Sequence, residues 1–416
     1  MGRSLDAEVI VVGGGPAGAS TAHSLAREGV DVLVLDRAKF PRDKTCAEYL
    51  SPQASRILSD MNVLDEIERT SPAHLEGMKV RSPNGQTAYG EFASTHGFRG
   101  FRDHGLAIRR TILDAIVLNG ARAAGARVEE SARVTDLTRD LTGRVSGVTV
   151  IGPDGGSRSL TSKYVVGADG LRSIVGRRLG LTRTSRFFPK RIAVVAHFRN
   201  VRDVGAFGEM HVDYDGYFGI VDVGRGLMNV AVVVPVSRAR EIGEGRAEFL
   251  DRWIAKRPHL ARRFVGAERV TAARATGPFA TESRPAWAPG AALVGDAADF
   301  FDPFTGEGIY AALRGGELVA PFIAAALRGK QSDESRVLAR YEAARRSEFG
   351  GKWTLERIVG WAIAYPYFLN NAAKALSRHK DMADLLVGVA GDFVPTKQVL
   401  NPRFLFNLFI SPAFRT

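Results

Sequence analysis

Apolar residues fall into three regimes along the chain. The first is unbroken and β-branched. Glu8-Val9-Ile10-Val11-Val12 has no polar residue after Glu8, the pattern of a strand buried on both faces of a parallel sheet. Gly13-Gly14-Gly15-Pro16-Ala17-Gly18 follows directly, and residues 19–28 then place Ala22, Leu25 and Ala26 on one helical face. Gly29 stands where a helix C-cap glycine belongs, and Asp31-Val32-Leu33-Val34-Leu35 repeats the buried-strand pattern up to Asp36. This is a strand–helix–strand unit in about thirty residues. Two later apolar runs end in a similar way. Tyr164-Val165-Val166-Gly167-Ala168 closes on Asp169-Gly170 and enters a helix. Ala291-Ala292-Leu293-Val294 closes on Gly295-Asp296, after which Asp302-Pro303-Phe304-Thr305-Gly306-Glu307-Gly308-Ile309 opens a helix-like run over 310–327.

The second regime lies between these segments. Residues 188–200 and 205–235 carry short alternating or apolar runs broken by Gly and Asp, such as Ile192-Ala193-Val194-Val195-Ala196. They predict an antiparallel sheet, joined by strands from about 78 to 101. The third regime begins near 340 and reads as helices with Trp353, Trp361, Tyr365, Tyr367 and Phe368. The expected architecture is α/β, α+β overall. A Rossmann-like unit is spread over 1–72, 105–180 and 285–340. A β-sheet substrate domain is inserted as 73–104 and 181–284, and a helical region covers 341–416.

The glycine turn after the first strand has a chemical reading. Gly13 permits the tight turn, Gly15 lets the backbone approach a pyrophosphate, and Gly18 lets the helix pack against the strand. Pro16 and Ala17 open the helix, whose positive end and free N–H groups suit phosphates. Asp36, followed by Arg37, is placed to accept hydrogen bonds from ribose hydroxyls. Strand first, helix after, acid about twenty residues on: this order predicts a dinucleotide site, though it does not separate FAD from NAD.

Composition removes other classes. The chain has 416 residues and one Cys, so an internal disulfide and a Cys-rich zinc site are excluded. With 57 Lys+Arg against 45 Asp+Glu the net charge is +12, but the arginines are scattered, which reads as a solvated surface rather than a nucleic-acid face. No apolar stretch reaches a membrane span of ~20 residues; the nearest, 358–373, is interrupted by Gly360, Pro366, Asn370 and Asn371. The N-terminus lacks the pattern of a signal peptide, and a cytoplasmic location is expected. The eight His residues show no metal-ligand spacing, and His197 and His211 read as half-buried structural residues in strands. No serine-hydrolase elbow is present.

The three strand-end motifs, in this order, resemble those of flavoproteins with the p-hydroxybenzoate-hydroxylase fold. Over roughly residues 6 to 345 the chain is similar to the geranylgeranyl reductase family and its relatives among single-component FAD monooxygenases and flavin halogenases. The resemblance implies that the first motif binds the ADP part of FAD and that Asp169 and Gly170 lie close to the pyrophosphate. It implies that Asp296, after Gly295, binds a ribityl hydroxyl. Pro303, Gly306, Gly308 and Ile309 would bring a helix N-terminus to the isoalloxazine. Arg110 matches an arginine that contacts FAD phosphate or adenine, with a surface salt bridge to Asp114 as its alternative. Val134 matches a position whose backbone holds the adenine.

The resemblance also singles out the loop at Lys44-Thr45-Cys46, which passes beside the flavin. Ala47 and Glu48 stand where the family usually has two glycines. Cys46 is a candidate proton donor or a packing residue. Tyr217 matches a family tyrosine, while Gly219 replaces the tryptophan of prenyl reductases and their Phe-Pro-Lys is missing. The Trp-rich motif of halogenases is missing too. The expected activity is an NAD(P)H-dependent monooxygenase acting on an aromatic or lipophilic substrate. The alternative is a reductase of C=C bonds in a prenyl chain, and halogenation ranks last. FAD is the expected cofactor, with NADPH or NADH as reductant, no metal and no nucleic acid, in a monomer or dimer. Residues 401–416, with Phe404, Phe406, Phe409, Arg403 and Arg415, either touch a membrane surface or cap the helices.

Overall fold

The computed structural model describes residues 5–185 and 188–410; Arg415 lies outside them. In chain order the elements that matter are β1 (Ala7–Val12), α1 (Pro16–Arg27), β2 (Val32–Leu35), β3 (Gly77–Arg81), β4 (Thr87–Glu91), α2 (Arg110–Ala123), β5 (Arg127–Glu129) and β6 (Ser157–Gly167). Then come β7 (Arg191–Arg199), β8 (Phe207–Asp213), β9 (Gly216–Asp222), β10 (Met228–Pro235), β11 (Ala291–Leu293), α3 (Gly308–Arg328), α4 (Glu334–Ala364), α5 (Pro366–Arg378), α6 (Lys380–Ala390) and α7 (Pro402–Phe409).

The β-branched runs form the parallel sheet they predict, in the order β11-β6-β1-β2-β5. β1 and β2 are covered by protein on both sides, which is why they show no alternation. The first half of β6 leaves this sheet and pairs antiparallel with the hairpin strand Val145–Ile151.

The second sheet runs β7-β10-β9-β8-β3-β4, antiparallel except where β8 meets β3. Its strands do alternate. Val194, Ala196 and Phe198 face one core, while Ala193 and Val195 face another with Val233 and Tyr217. The expected strand region reaching residue 101 is shorter, since Phe92 to Phe101 is turn and bend with one isolated bridge, Thr95 to Phe98. Helical cover on this sheet was not anticipated. Phe249, Leu250, Trp253 and Ile254 of the helix Arg246–Ala255 bury the face that the strands alone would leave wet.

α1 is pressed between the parallel sheet and α3. A Cβ on Gly18 would lie 1.7 Å from the Gly13 carbonyl oxygen, so no side chain fits there. On the other side, a Cβ on Gly316 of α3 would lie 2.6 Å from the Thr21 nitrogen and 2.7 Å from the Ala17 oxygen. α3 is the one helix among the described residues long and apolar enough to cross a membrane, and most of its apolar window is buried in this core. The apolar stretch at 358–373 divides at Tyr365, between α4 and α5.

Gly316→Ala should push α3 off α1, since backbone atoms cannot yield locally. The expected loss is ~2 kcal/mol of stability, within the usual range for overpacking. Urea unfolding measures it, and a wild-type midpoint would show that the helices do not cross this closely.

Candidate active site

A cleft runs between the C-terminal ends of the parallel strands and the inner face of the second sheet. Two helix N-termini open into it. α1 begins at Gly15 and α3 at Glu307, and neither has a side-chain cap. Their first N–H groups are therefore left for a ligand.

At the α1 end the site is cationic. The space beyond the Gly15 Cα holds two guanidinium groups, with Arg42 Nη2 3.3 Å and Arg110 Nη2 3.9 Å from where a Cβ would be. One carboxylate organises both. Arg110 donates from Nε and Nη2 to Asp114 at 2.6 and 2.8 Å, and Arg42 Nη1 lies 2.7 Å from Asp114 Oδ2. The expected surface salt bridge is thus a buried one, with Arg110 only 3% exposed. Two guanidiniums against one carboxylate leave a net positive charge, which suits a diphosphate.

Asp36 is buried at the tip of β2, where Oδ2 accepts the Gly14 N–H at 2.7 Å and Oδ1 the Ala38 N–H at 2.8 Å. It clamps the glycine turn, in addition to any ribose contact. Gly13 has φ 103° and packs on the Ala168 carbonyl. Arg37 is exposed beside Asp36. The Val134 side chain is in the core, and the residues just before it are stitched to this corner through Ala132 N to Asp36 O at 2.8 Å.

The middle of the cleft is lined by Pro16, Ala17, Ala47, Gly170, Asp296 and Ile309. The Asp169 carboxylate turns away to cap a short helix, accepting from Ser173 Oγ and Ile174 N at 2.6 Å each. Lys44 reaches across the cleft, with Nζ 3.8 Å from Asp296 Oδ2 and beside Gly170. Arg110 and Cys46 both line this part of the cleft. Gly295 packs on Ala17 of α1, so the Gly295-Asp296 turn is fixed by the same helix as the first motif.

The Cys46 loop is tied to the second sheet. Cys46 Sγ accepts the Glu48 N–H at 3.3 Å, and Asn229 Nδ2 donates to the Cys46 carbonyl at 2.8 Å. Glu48 has φ 62° and no exposed surface. It keeps the left-handed backbone expected of the missing glycine, a conformation that costs about 1 kcal/mol or more in other residues. Its carboxylate offsets that strain with the Arg110 N–H at 2.8 Å, His197 Nε2 at 2.7 Å and Asn229 Nδ2 at 3.0 Å. His197 is therefore satisfied, as expected of it, but by a partner from a distant segment. His211 pairs with Glu209 at 2.9 Å.

The far end of the cleft is acidic. Asp302 accepts Tyr217 Oη and Arg191 Nη1, both at 2.6 Å, and the Phe304 N–H at 3.1 Å. Burial and Asp302 hold the Tyr217 phenol well above its ordinary pKa, so it stays a donor and acts as a positioning residue for the 302–306 turn. Gly306 has φ 75° and packs on the Tyr49 ring, aiming the Gly308 end of α3 at the cleft. Beyond it the charges do not balance. Arg191 belongs to Asp302, Arg345 to Asp299, and Lys352 is shared between Glu307 at 3.4 Å and Asp392. Glu356 lines the cavity with no hydrogen bond or ion pair among the described residues. It is half-exposed only to the cavity itself; the surrounding protein and the neighbouring Glu307 and Asp302 hold its carboxyl well above the usual range. This burial favours the protonated form of Glu356.

Sequence reasoning missed Arg42, Arg191, Asn229 and Glu356, which carry no motif and meet only through folding. A separate trio, Glu68, His74 and His104, brings three donor atoms within 4.8 Å at the surface, but Arg102 already holds the Glu68 carboxylate.

The geometry has counterparts in known proteins. A family model described as FAD binding domain matches residues 6–351. The digeranylgeranylglycerophospholipid reductase 1 of Methanococcoides burtonii is 30% identical, covering 85% of this chain and 82% of its own. The menaquinone reductase of Mycolicibacterium smegmatis is 27% identical, covering 93% of this chain and 92% of its own. The flavoprotein/dehydrogenase from Cytophaga hutchinsonii has the same fold, with a TM-score of 0.83, 21% identity, and coverage of 97% of this chain and 96% of that one.

Two outcomes test the assignments. Arg42→Ala and Asp296→Ala should each weaken FAD retention, by about tenfold for the arginine on the scale of one charge-assisted hydrogen bond. Flavin content after gel filtration measures this, and full retention refutes the role. At neutral pH the wild type should show the infrared carbonyl band of a protonated carboxylic acid that Glu356→Gln lacks; identical spectra would mean that Glu356 is ionised.

Proposed function

The chain belongs to the FAD binding domain family and is an FAD-dependent oxidoreductase, and from that premise we propose that it reduces a C=C bond in a lipid-soluble, prenyl- or quinone-type substrate, with NADPH or NADH as reductant. The residues fit the cofactor. The glycine turn, Arg42 and Arg110 hold the diphosphate, Asp36 and the 132–134 segment flank the adenosine, Asp296 takes a ribityl hydroxyl, and Gly306 to Ile309 meet the ring. FAD, when bound, supplies hydride transfer from the nicotinamide to the substrate.

The observation that carries the reading is an apolar cavity wall with the Cys46 loop at its edge. Val195, Met210, Ile220, Ala231 and Val233 of the second sheet line the cavity, which suits a hydrocarbon substrate. Saturating a C=C bond adds a hydride to one carbon and a proton to the other. Cys46, held between Arg110 and the Glu48 network, supplies that proton at the wall it shares with the sheet and regains it from solvent. Tyr217 and Arg191 keep the Asp302 turn, and with it the N-terminus of α3, in place. The enzyme works in the cytoplasm, with its C-terminal helices at the membrane that holds such a substrate.

A second reading, hydroxylation of an aromatic or polyketide-like substrate, is favoured by one observation. Gly219 stands where prenyl reductases carry a tryptophan, and their Phe-Pro-Lys is absent.

Purified protein should be yellow, and NADPH or NADH should bleach it. The reductase reading predicts that a dispersed short-chain menaquinone or prenyl lipid restores the colour without air and is recovered two hydrogens heavier. Colour restored only by air, with an oxygen atom in the product, would establish the second reading instead. Cys46→Ala should lower the reoxidation rate by about a hundredfold, within the usual range for a lost general acid; an unchanged rate would leave Cys46 a packing residue.

A further inference from the structure

The last helices carry a surface that the cleft does not use. α4 ends, α5 starts and α7 crosses them to form an open apolar groove, with Ile358, Leu405 and Phe409 on its floor. Five of the thirteen exposed large apolar side chains among the described residues lie on these helices or their ends, Trp361, Tyr365, Tyr367, Phe406 and Ile410. Tyr367 is 62% exposed and Trp361 49%. Scattered apolar residues on a surface need no explanation, but a contiguous patch does.

The patch is organised in helical stripes, each with a cation. On α4, Arg357, Trp361 and Ala364 recur at i, i+4 and i+7, and all are exposed. On α5, Tyr367, Lys374 and Arg378 share a face by the same spacing. On α7, Arg403 and Phe406 continue to Ile410 just past its end, again all exposed, while Phe404 and Leu408 point into the core. From Arg357 to the end of α4, along α5, and along α7 there is no Asp or Glu. Arg378 and Arg403 make no ion pair among the described residues, and Arg357 lies 5.8 Å over the Phe301 ring.

We propose that this surface docks on an anionic lipid bilayer, with the Trp and Tyr rings at headgroup level, Phe406 and Ile410 in the acyl boundary, and the arginines on lipid phosphates. Amphipathic aromatic rings and a carboxylate-free basic rim are the composition of an interfacial anchor. A second copy of the chain would bring the same cations against one another, so charge disfavours that occupant. The position serves the cleft. Phe188 lines the groove and stacks on Phe301 at 5.0 Å, and Phe301 lines the cavity, so one pair of rings separates the lipid surface from the active site. The assignment rests on the reading of a lipid-soluble substrate but is tested without turnover.

Full-length, FAD-loaded protein is floated with vesicles of phosphatidylcholine alone and of phosphatidylcholine mixed with phosphatidylglycerol. Wild type should bind the mixed vesicles, and binding should fall as salt rises. Trp361→Ala with Phe406→Ala should reduce binding about tenfold or more, and so should Arg378→Glu with Arg403→Glu, on the scale of about one kcal/mol per cation. Both variants should keep wild-type flavin content, melting temperature and turnover of a dispersed short-chain substrate. The proposal is overturned by absence of binding to anionic vesicles, by equal binding of both variants, or by a dimer in solution that Phe406→Ala dissociates. Vesicle binding without any lipid reduction would sink the reductase reading and leave the surface standing; turnover of dispersed substrate with no vesicle binding would do the reverse.

Discussion

The two helix N-termini that open into the cleft are set by the packing of α1, which is held by contacts that leave no room for a side chain. Gly18 meets Gly13 on the strand side, and Gly316 meets Ala17 and Thr21 on the helix side. Gly295 adds a third close contact at Ala17. Segments nearly 300 residues apart are thereby locked to one helix. The locking brings the N-termini of α1 and α3 into one cleft, and their aligned peptide dipoles make both ends attractive to negative groups. Close packing sets this geometry together with one buried hydrogen bond between the helices, Ser20 Oγ donating to the Leu313 carbonyl at 2.7 Å.

On that frame the charges are distributed unequally. At the α1 end two guanidiniums share Asp114, so cation is in excess. At the α3 end Asp302 pairs with Arg191, Asp299 with Arg345, and Glu307 and Asp392 with Lys352, while burial raises the pKa of Glu356. A ligand with a diphosphate at one end and a neutral ring at the other has one favourable orientation in such a field.

The loop that joins the two sheets shows how a sequence departure is absorbed. Glu48 stands where the resembled family usually has a glycine, and its left-handed backbone is held because three donors from α2 and the second sheet converge on its carboxylate, with Arg109 Nε in ion-pair range at 3.5 Å. The Glu48 side chain forms a buried bridge between the start of α2 and the second sheet. His197 and Asn229, adjacent across β7 and β10, are its anchors.

The sequence alone determined the parallel sheet, because strands buried on both faces leave unbroken β-branched runs. It also pointed to a dinucleotide site, because phosphate recognition uses local backbone geometry and local spacing reports it; that the dinucleotide is FAD rested on the family resemblance and the matching family model. Helices after residue 340 and the antiparallel sheet were legible from their periods, although the end of the strand region and the helical cover on the second sheet were not. Tertiary structure alone decided which charges meet. Arg42 and Arg110 share Asp114, Tyr217 donates to Asp302, and Glu356 has no hydrogen bond or ion pair among the described residues, because each outcome depends on residues from different elements whose encounter leaves no periodic trace. The exposed stripes on α4, α5 and α7 belong to the same class. A helix with apolar residues on two faces reads as core from its sequence, and only packing shows which face remains uncovered.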